Sequence, residues 1–178
     1  MAASASTRSL NIFIGYHAID EPLKARLMKH LRVLQRLYNI SIDHEIQPGS
    51  AIYETVEKQL HAADMILLLL TGDFLGSDNH MRDIIEPAIK RSKASESVVV
   101  SVIMRSCLWK ATQLADMMVL PESGEALEEW TVPEMGYRNV ANDLKNRIEQ
   151  FKAALEMQEL KNENERLKEE NAALKKKQ

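Results

Sequence analysis

The feature that most constrains the fold of this 178-residue chain is the alternation of short apolar runs with amphipathic segments. Each apolar run is bounded by polar residues, as buried strands are. Between the runs, apolar residues recur every three or four positions, which predicts helices. Strands that alternate with helices form right-handed βαβ units, so we predict an open, doubly wound, parallel α/β sheet. The predicted strands are Asn11–Tyr16, Ile40–Ile42, Met65–Leu70 and Val98–Met104.

Charge and cysteine content argue against several classes of protein. The net charge of -3 gives no electrostatic reason to expect nucleic acid or an anionic membrane as partner. Cys107 is the one cysteine, so no internal disulfide forms and a reducing, cytoplasmic compartment is expected. The longest apolar run, Met65–Leu70, is far shorter than the roughly 20 residues of a membrane-spanning helix. Residues 1–8 lack a secretory pattern and are expected to be a disordered lead-in.

Doubly wound folds bind ligands at the carboxyl ends of their strands, where the strand order reverses. In this chain that edge is formed by the loops after Tyr16, Asp43 and Leu70. The sequence contains no GxGxxG, Walker A or GxSxG motif, so dinucleotide binding of the Rossmann type, P-loop chemistry and an α/β-hydrolase site are not expected. The five histidines show no metal-ligand spacing, and no metal site is predicted.

Three blocks together resemble the bacterial branch of the Toll/interleukin receptor (TIR) family. Residues 11–31, NIFIGYHAIDEPLKARLMKHL, resemble the opening strand with its FISY motif and the first helix. Residues 42–78, IDHEIQPGSAIYETVEKQLHAADMILLLLTGDFLGSD, are similar to the family's BB loop, second helix and third strand. Residues 98–130, VVVSVIMRSCLWKATQLADMMVLPESGEALEEW, resemble the family's VIPVILRPCDW block. The resemblance implies a five-stranded sheet of flavodoxin-like order over residues 9–155.

Family members either signal by TIR–TIR assembly or cleave NAD at its bond to nicotinamide, using a glutamate on the helix after the third strand. An ungapped match from Ser77 to Ser101 places that glutamate on Ile84, which has no carboxylate. Asp83 and Glu86 are the nearest carboxylates and are the candidate replacements. The resemblance implies an NAD pocket formed by Tyr16, His17, Asp43, Ile52, His80 and Ile84, several of which depart from the family pattern.

The C-terminal residues 156–178 carry a heptad pattern typical of a parallel coiled coil. Glutamates occupy the g positions and lysines the e positions, so the interchain pairs of a parallel dimer are attractive. The alternative is a single exposed helix with intrachain Glu–Lys pairs. The predicted a and d residues are Met157, Leu160, Asn164, Leu167, Asn171 and Leu174.

Two functions fit these patterns. The first is a signalling module of defence or cell death that requires no cofactor. It self-associates through the coil and through TIR–TIR contacts at the loop containing Pro48 and Gly49. The second is an NAD hydrolase or cyclase with a displaced catalytic carboxylate, for which NAD is the substrate. A receiver domain is disfavoured, because Tyr16 and His17 stand where its acidic pair belongs.

Overall fold

The computed structural model describes residues 8–44 and 52–176, except for the side chains of residues 44, 52, 53 and 176. Five parallel strands form one sheet. Their order is β2-β1-β3-β4-β5, the flavodoxin-like order with the reversal between β1 and β3. All six residues of β3 are buried, as expected for the centre of a sheet covered on both faces. The strands are β1 Leu10–Gly15, β2 Ile40–His44, β3 Met65–Leu70, β4 Val98–Ile103 and β5 Met118–Leu120.

The helices cover the two faces of the sheet. Helix α1 buries four leucines spaced three or four residues apart, Leu23, Leu27, Leu31 and Leu34. Pro22 lies in the first turn of α1, where its missing N–H has no intrahelical partner to lose. The α-helices are α1 Glu21–Leu37, α2 Ile52–Ala62, α3 Gly72–Gly76, α4 Asp78–His80, α5 Glu86–Lys93 and α6 Pro133–Lys176.

Between α4 and α5 the chain makes one π-helical turn, Met81–Ile85. The Glu86 N–H donates to the Met81 carbonyl, and Pro87 then lies in the first turn of α5. Proline has no N–H and disrupts an uninterrupted α-helix, so the wide turn lets the helix begin again before it. The turn also changes the angles between neighbouring side chains from those of a regular α-helix.

The first turns of α6 are anchored to α1 by a charged cluster. Arg26 donates to Glu128 Oε1 at 2.8 Å and to Glu134 Oε1 at 3.2 Å, while His30 Nε2 lies 3.2 Å from Glu134 Oε2. The hydrogen bond with His30, followed by that with Arg26, lowers the pKa of the Glu134 carboxyl. Tyr137 is fully buried and donates to Glu128 at 2.9 Å, and burial raises the pKa of its phenol.

The chain divides into two compact units, Ser9–Asp143 and a helical segment from Leu144 onward. Helix α6 continues through Glu156 without interruption, and the coiled coil over residues 156–178 stays a prediction. Within the helical segment, Leu144 and Ile148 are buried and Phe151 and Leu155 are half-buried. None of the helices in the described part of the chain has the length and apolar content needed to cross a membrane.

Candidate functional site

The carboxyl ends of three strands are joined by a buried polar network. Asp20, after β1, is fully buried and accepts a 2.5 Å hydrogen bond from Thr71 Oγ1, after β3. Arg105, after β4, donates to the other carboxylate oxygen at 3.3 Å. Thr71 Oγ1 also accepts the Phe74 N–H at 3.1 Å and so caps α3. The network connects the loops at this edge and gives the Asp20 carboxyl group hydrogen-bond partners, without which its burial would be costly.

A second polar group lies at the start of α1. The Tyr16 hydroxyl donates to Glu21 Oε2 at 2.6 Å, and Lys24 Nζ lies 2.7 Å from Glu21 Oε1. Lys24 is buried and also stands over the Tyr16 ring, 4.8 Å from its centroid. Tyr16, one of the predicted pocket residues, is therefore bound to a carboxylate from its own edge of the sheet.

Two of the predicted pocket residues, His17 and His80, come together at this edge. Their ring centroids are 5.2 Å apart, and the Phe74 ring lies 5.2 Å from that of His80. His17 Nδ1 accepts the Ile19 N–H at 3.2 Å, and His80 Nδ1 lies 2.7 Å from Ser77 Oγ. No group of three metal-ligating side chains occurs among the residues that the structure describes.

Ile84 belongs to the apolar core. Its side chain is 2% exposed and packs in a cluster with Phe13 and Leu68. A Cβ placed on Gly15 would come within 2.9 Å of Ile84 Cγ2, so the absent side chain at Gly15 makes room for this isoleucine. The position that the family match gives to a catalytic glutamate is therefore an apolar packing position.

The two candidate carboxylates line cavities beside α2. Asp83 is bound by the Arg82 guanidinium through two contacts of 2.6 and 2.8 Å, and it lines a cavity of about 70 Å³ with Val56 and Leu60 of α2. Glu86 lines a neighbouring groove of about 500 Å³ with Lys90 and other residues of α2 and α5. His17 and His80 are not among the residues that line these two cavities.

Three further predicted residues fall at the limits of the description. Asp43 lies on β2 opposite Phe13 and is half-buried. Ile52 begins α2, but its side chain is outside the described residues, as are Pro48 and Gly49 altogether. Asp20, Thr71 and Arg105 were not predicted as site residues, although each follows the end of a predicted strand, which is the signal that could have indicated them.

Comparison with protein families matches the TIR domain to residues 12–132. The match covers more than half of the chain and includes all five strands except the first two residues of β1. This chain belongs to the TIR domain family. The recognition from the three sequence blocks is confirmed, and the parallel five-stranded sheet agrees with the fold expected of a TIR domain.

Two relatives of this TIR domain extend the comparison. The uncharacterized protein y4lF of Sinorhizobium fredii is 27% identical over 137 residues. The match covers 76% of this chain but 42% of that protein, so the chain spans less than half of its relative. A chain in the crystal structure of the RPS4 and RRS1 TIR domain heterodimer superposes with a TM-score of 0.52 at 11% identity, covering 78% of this chain and 97% of that one. At this identity the likeness supports the fold alone.

Proposed function

We propose that this TIR domain is an assembly module that pairs with a second copy through the C-terminal part of α6 and then contacts other TIR domains. The observation that carries the proposal is a stripe of large apolar side chains left exposed at heptad spacing. Met157, Leu160, Leu167 and Leu174 are 57%, 61%, 43% and 63% exposed. A lone charged helix has no need of leucine at every seventh position, whereas a coiled coil buries that stripe against its mate.

Charge complementarity favours a second parallel copy as the partner. In a parallel dimer each g glutamate faces an e lysine of the other chain, so every such contact is attractive. In an antiparallel pair, glutamate would face glutamate and lysine would face lysine. Arg166 lies 2.7 Å from Glu163 and 3.7 Å from Glu170 on the same helix, which adds local helix support beside the interface. The g and e residues are Glu156, Glu163, Glu170, Lys161, Lys168 and Lys175.

Asn164 and Asn171 occupy two a positions of the proposed interface. Asparagine at a weakens a coiled coil but favours a dimer in register, because each side chain hydrogen-bonds its counterpart. Three heptads with two such positions give a coil of modest stability. Its proposed effect is to raise the local concentration of paired TIR domains, so that weak contacts between domains become populated.

The proposed contacts between domains include the loop with Pro48 and Gly49, and the proposed process is defence or cell-death signalling in the cytoplasm. A TIR domain heterodimer is the subject of the matched crystal structure, which shows that this fold supports pairing in that protein. Support for an assembly role here also comes from Ile84, because a buried isoleucine occupies the position expected of the catalytic glutamate.

The alternative proposal, NAD hydrolysis or cyclisation, has one observation in its favour. Glu21 is a half-exposed carboxylate on the strand edge that holds His17 and Tyr16, and its side chain is 52% exposed. Asp83 and Glu86 give this alternative less support, because they line cavities between α2 and α5. NAD would be a substrate in that case, and nicotinamide release measured in Glu21→Gln beside the wild-type chain distinguishes the two proposals.

Sedimentation of the full chain tests the assembly proposal. We expect a dimer that dissociates to a monomer when Leu160, Leu167 and Leu174 are changed together to alanine. The matched control changes Gln158 and Glu165 to alanine at b positions on the outer side of the helix, and it should remain dimeric. A wild-type chain that stays monomeric at tens of micromolar, roughly the range in which a short coil pairs, contradicts the proposal.

A further inference from the structure

The outer side of α1 carries three exposed cations, Lys29, Arg32 and Arg36. On the flank of the same helix, Arg26 forms ion pairs with two glutamates of its own chain. The three outer cations, in contrast, form no ion pair within the residues that the structure describes. Helix α1 has one acidic residue, Glu21 in its first turn, so the helix itself supplies no carboxylate to this side. The positive charge therefore faces solvent.

Two large apolar side chains lie among these cations. Val33 and Leu37 are 53% and 65% exposed. At about 100° per residue, the cations and these two residues share an arc of about 140°, on the side of α1 opposite to its buried leucines. Apolar side chains surrounded by arginines and other polar residues are typical of protein interfaces. We call this surface the basic face; it consists of Lys29, Arg32, Val33, Arg36 and Leu37.

The unit Ser9–Asp143 also has a surface of opposite charge. Residues 116–135 contain six acidic residues and no lysine, arginine or histidine, and we call them the acidic segment. Glu122, Glu125 and Glu129 are exposed, and their carboxylates form no ion pair in the described part of the chain. Val132, which is 49% exposed, follows them. The acidic segment thus combines carboxylates with exposed apolar surface, as the basic face does with cations.

We infer that the basic face of α1 docks on the acidic segment of a second copy. The inference rests on the proposed assembly and assigns a surface to the contact between domains. Opposite charges favour this pairing, whereas two basic faces or two acidic segments would repel each other. Because the contact joins two different surfaces, a copy that offers its basic face retains its acidic segment for another neighbour. Chains already paired through α6 are thereby linked into larger assemblies.

Sedimentation of full-length chains with reversed charges tests the inference. The wild type should form species larger than the dimer at low salt. Each variant alone should need at least about a tenfold higher concentration for this step, because like charges then meet across the contact. An equimolar mixture of the two variants should form the large species again. The basic-face variant carries Lys29→Glu, Arg32→Glu and Arg36→Glu, and the acidic-segment variant carries Glu122→Lys, Glu125→Lys and Glu129→Lys.

A matched control reverses three exposed lysines on α2 and α5, which changes the net charge as much as the basic-face variant does. It should assemble as the wild type does. All three variants should keep the wild-type Tm, since the changed side chains are exposed and form no ion pair within the described residues. Raising the salt from about 0.01 to 0.1 M shortens the screening length from about 30 to 10 Å and should weaken the wild-type step. The control carries Lys58→Glu, Lys90→Glu and Lys93→Glu.

The possible failures are distinguishable. Wild-type dimers without larger species at any salt concentration overturn this inference and leave pairing through α6 standing, whereas a wild type that stays monomeric overturns both. A basic-face variant that assembles as readily as the wild type also overturns the inference. Binding of the wild type to vesicles of anionic lipid, lost in the basic-face variant while its sedimentation is unchanged, would replace the second copy by a membrane surface.

The chain with alanine at Leu160, Leu167 and Leu174 separates this contact from the pairing of α6. Its association should be weaker than that of the wild type but still sensitive to charge reversal on the basic face. Association equal to that of the wild type, and abolished by the same charge reversal, would support the basic face and contradict pairing through α6.

Discussion

The sheet of the unit Ser9–Asp143 and the end of helix α6 from Met157 onward use apolar residues in opposite ways. In the first unit, the large apolar side chains of β1, β3 and β4 are buried within the single chain. At the end of α6, Leu160, Leu167 and Leu174 are exposed. Burial in the sheet stabilises the folded monomer, whereas the exposed residues at the end of α6 are available to a partner.

This difference predicts whether a substitution changes the stability of the monomer or its association. A change in the core of the first unit should lower the free energy of unfolding at any protein concentration. A change in the exposed stripe should leave the monomer intact and shift only the association equilibrium, which makes the apparent stability depend on concentration. The following substitutions test this contrast.

The largest effect is expected for Ile84→Glu. The Ile84 side chain is almost fully buried among apolar residues, so a glutamate carboxyl group there would be buried among apolar side chains. We expect a loss of roughly 2 to 5 kcal/mol in the free energy of unfolding, and no gain in NAD cleavage. Urea unfolding checks this against Ile84→Val, which should lose about 0.5 to 1.5 kcal/mol. A stable Ile84→Glu variant that releases nicotinamide would mean that this position opens onto a catalytic pocket.

A smaller effect in the same unit is expected for Gly15→Ser, which introduces the serine of the family motif. The new Cβ would lie 2.9 Å from Ile84 Cγ2 and 3.2 Å from Leu68 Cδ2, and the β-branched isoleucine cannot easily turn away. Overpacking of this kind costs about 1 to 3 kcal/mol.

Adding Ile84→Leu should recover part of the stability lost in Gly15→Ser, because leucine has no Cγ2 branch. The matched control is Gly72→Ser, since nothing lies within 4 Å of a Cβ at Gly72. Thermal unfolding of these three variants and the wild type checks the prediction. Equal losses of stability in Gly15→Ser and Gly72→Ser, with no recovery in the double variant, would contradict the prediction. The Gly15–Ile84 contact would then not be the reason that a side chain at position 15 is destabilising.

In the helical segment, charge reversal should act on association alone. A chain with lysine at every g and e position, or with glutamate at every one, should pair poorly with itself because all interchain contacts become repulsive. An equimolar mixture of the two should pair again, with each contact contributing about 0.2 to 1 kcal/mol. Sedimentation of each variant and of the mixture measures this. Pairing of either variant alone as strong as that of the wild type would rule out the proposed register. The changed residues are Glu156, Glu163 and Glu170 in one variant and Lys161, Lys168 and Lys175 in the other.

The smallest effect concerns the anchor of α6. His30 and then Arg26 lower the pKa of Glu134, so its ionised form stabilises the fold above the pH at which the unfolded chain titrates. This contribution is lost as the pH falls through the lower pKa of the folded state. The difference in Tm between the wild type and Glu134→Gln should therefore be constant near neutral pH, shrink below about pH 5, and be reduced by salt. A Tm difference that grows as the pH falls would contradict this prediction.

Much of the sheet was predictable because its strands are buried on both faces. The predicted runs match β1 to β4 within two residues, and Met65–Leu70 matches β3 at both ends. The fifth strand, Met118–Leu120, has three residues and no pattern of its own, so it was expected only through the family resemblance. The heptad spacing of α6 was recognisable because this part of the helix is exposed and its periodic pattern is uninterrupted.

The candidate site was less predictable because its positions depend on packing between distant segments. The π turn Met81–Ile85 was not predicted, and it changes the positions of Asp83 and Glu86 relative to Ile84. The pairing of Gly15 with Ile84 joins two segments far apart in sequence, and no local pattern reveals it. In the sequence, Asp20 is a polar residue before a predicted helix. Only the fold shows that Thr71 and Arg105 donate hydrogen bonds to its carboxyl group.

The most direct measurement of the central claim is disulfide cross-linking of the full chain with Asn164→Cys, in a Cys107→Ser background that removes the one native thiol. In a parallel, in-register pair the two a-position sulfurs lie within reach of each other, because disulfides join Cα atoms up to about 6.8 Å apart. Mild oxidation should then give a covalent dimer from Asn164→Cys and little from Glu165→Cys, whose side chain is on the outer face. Equal cross-linking of both variants, or none from Asn164→Cys, would contradict the parallel pairing of α6.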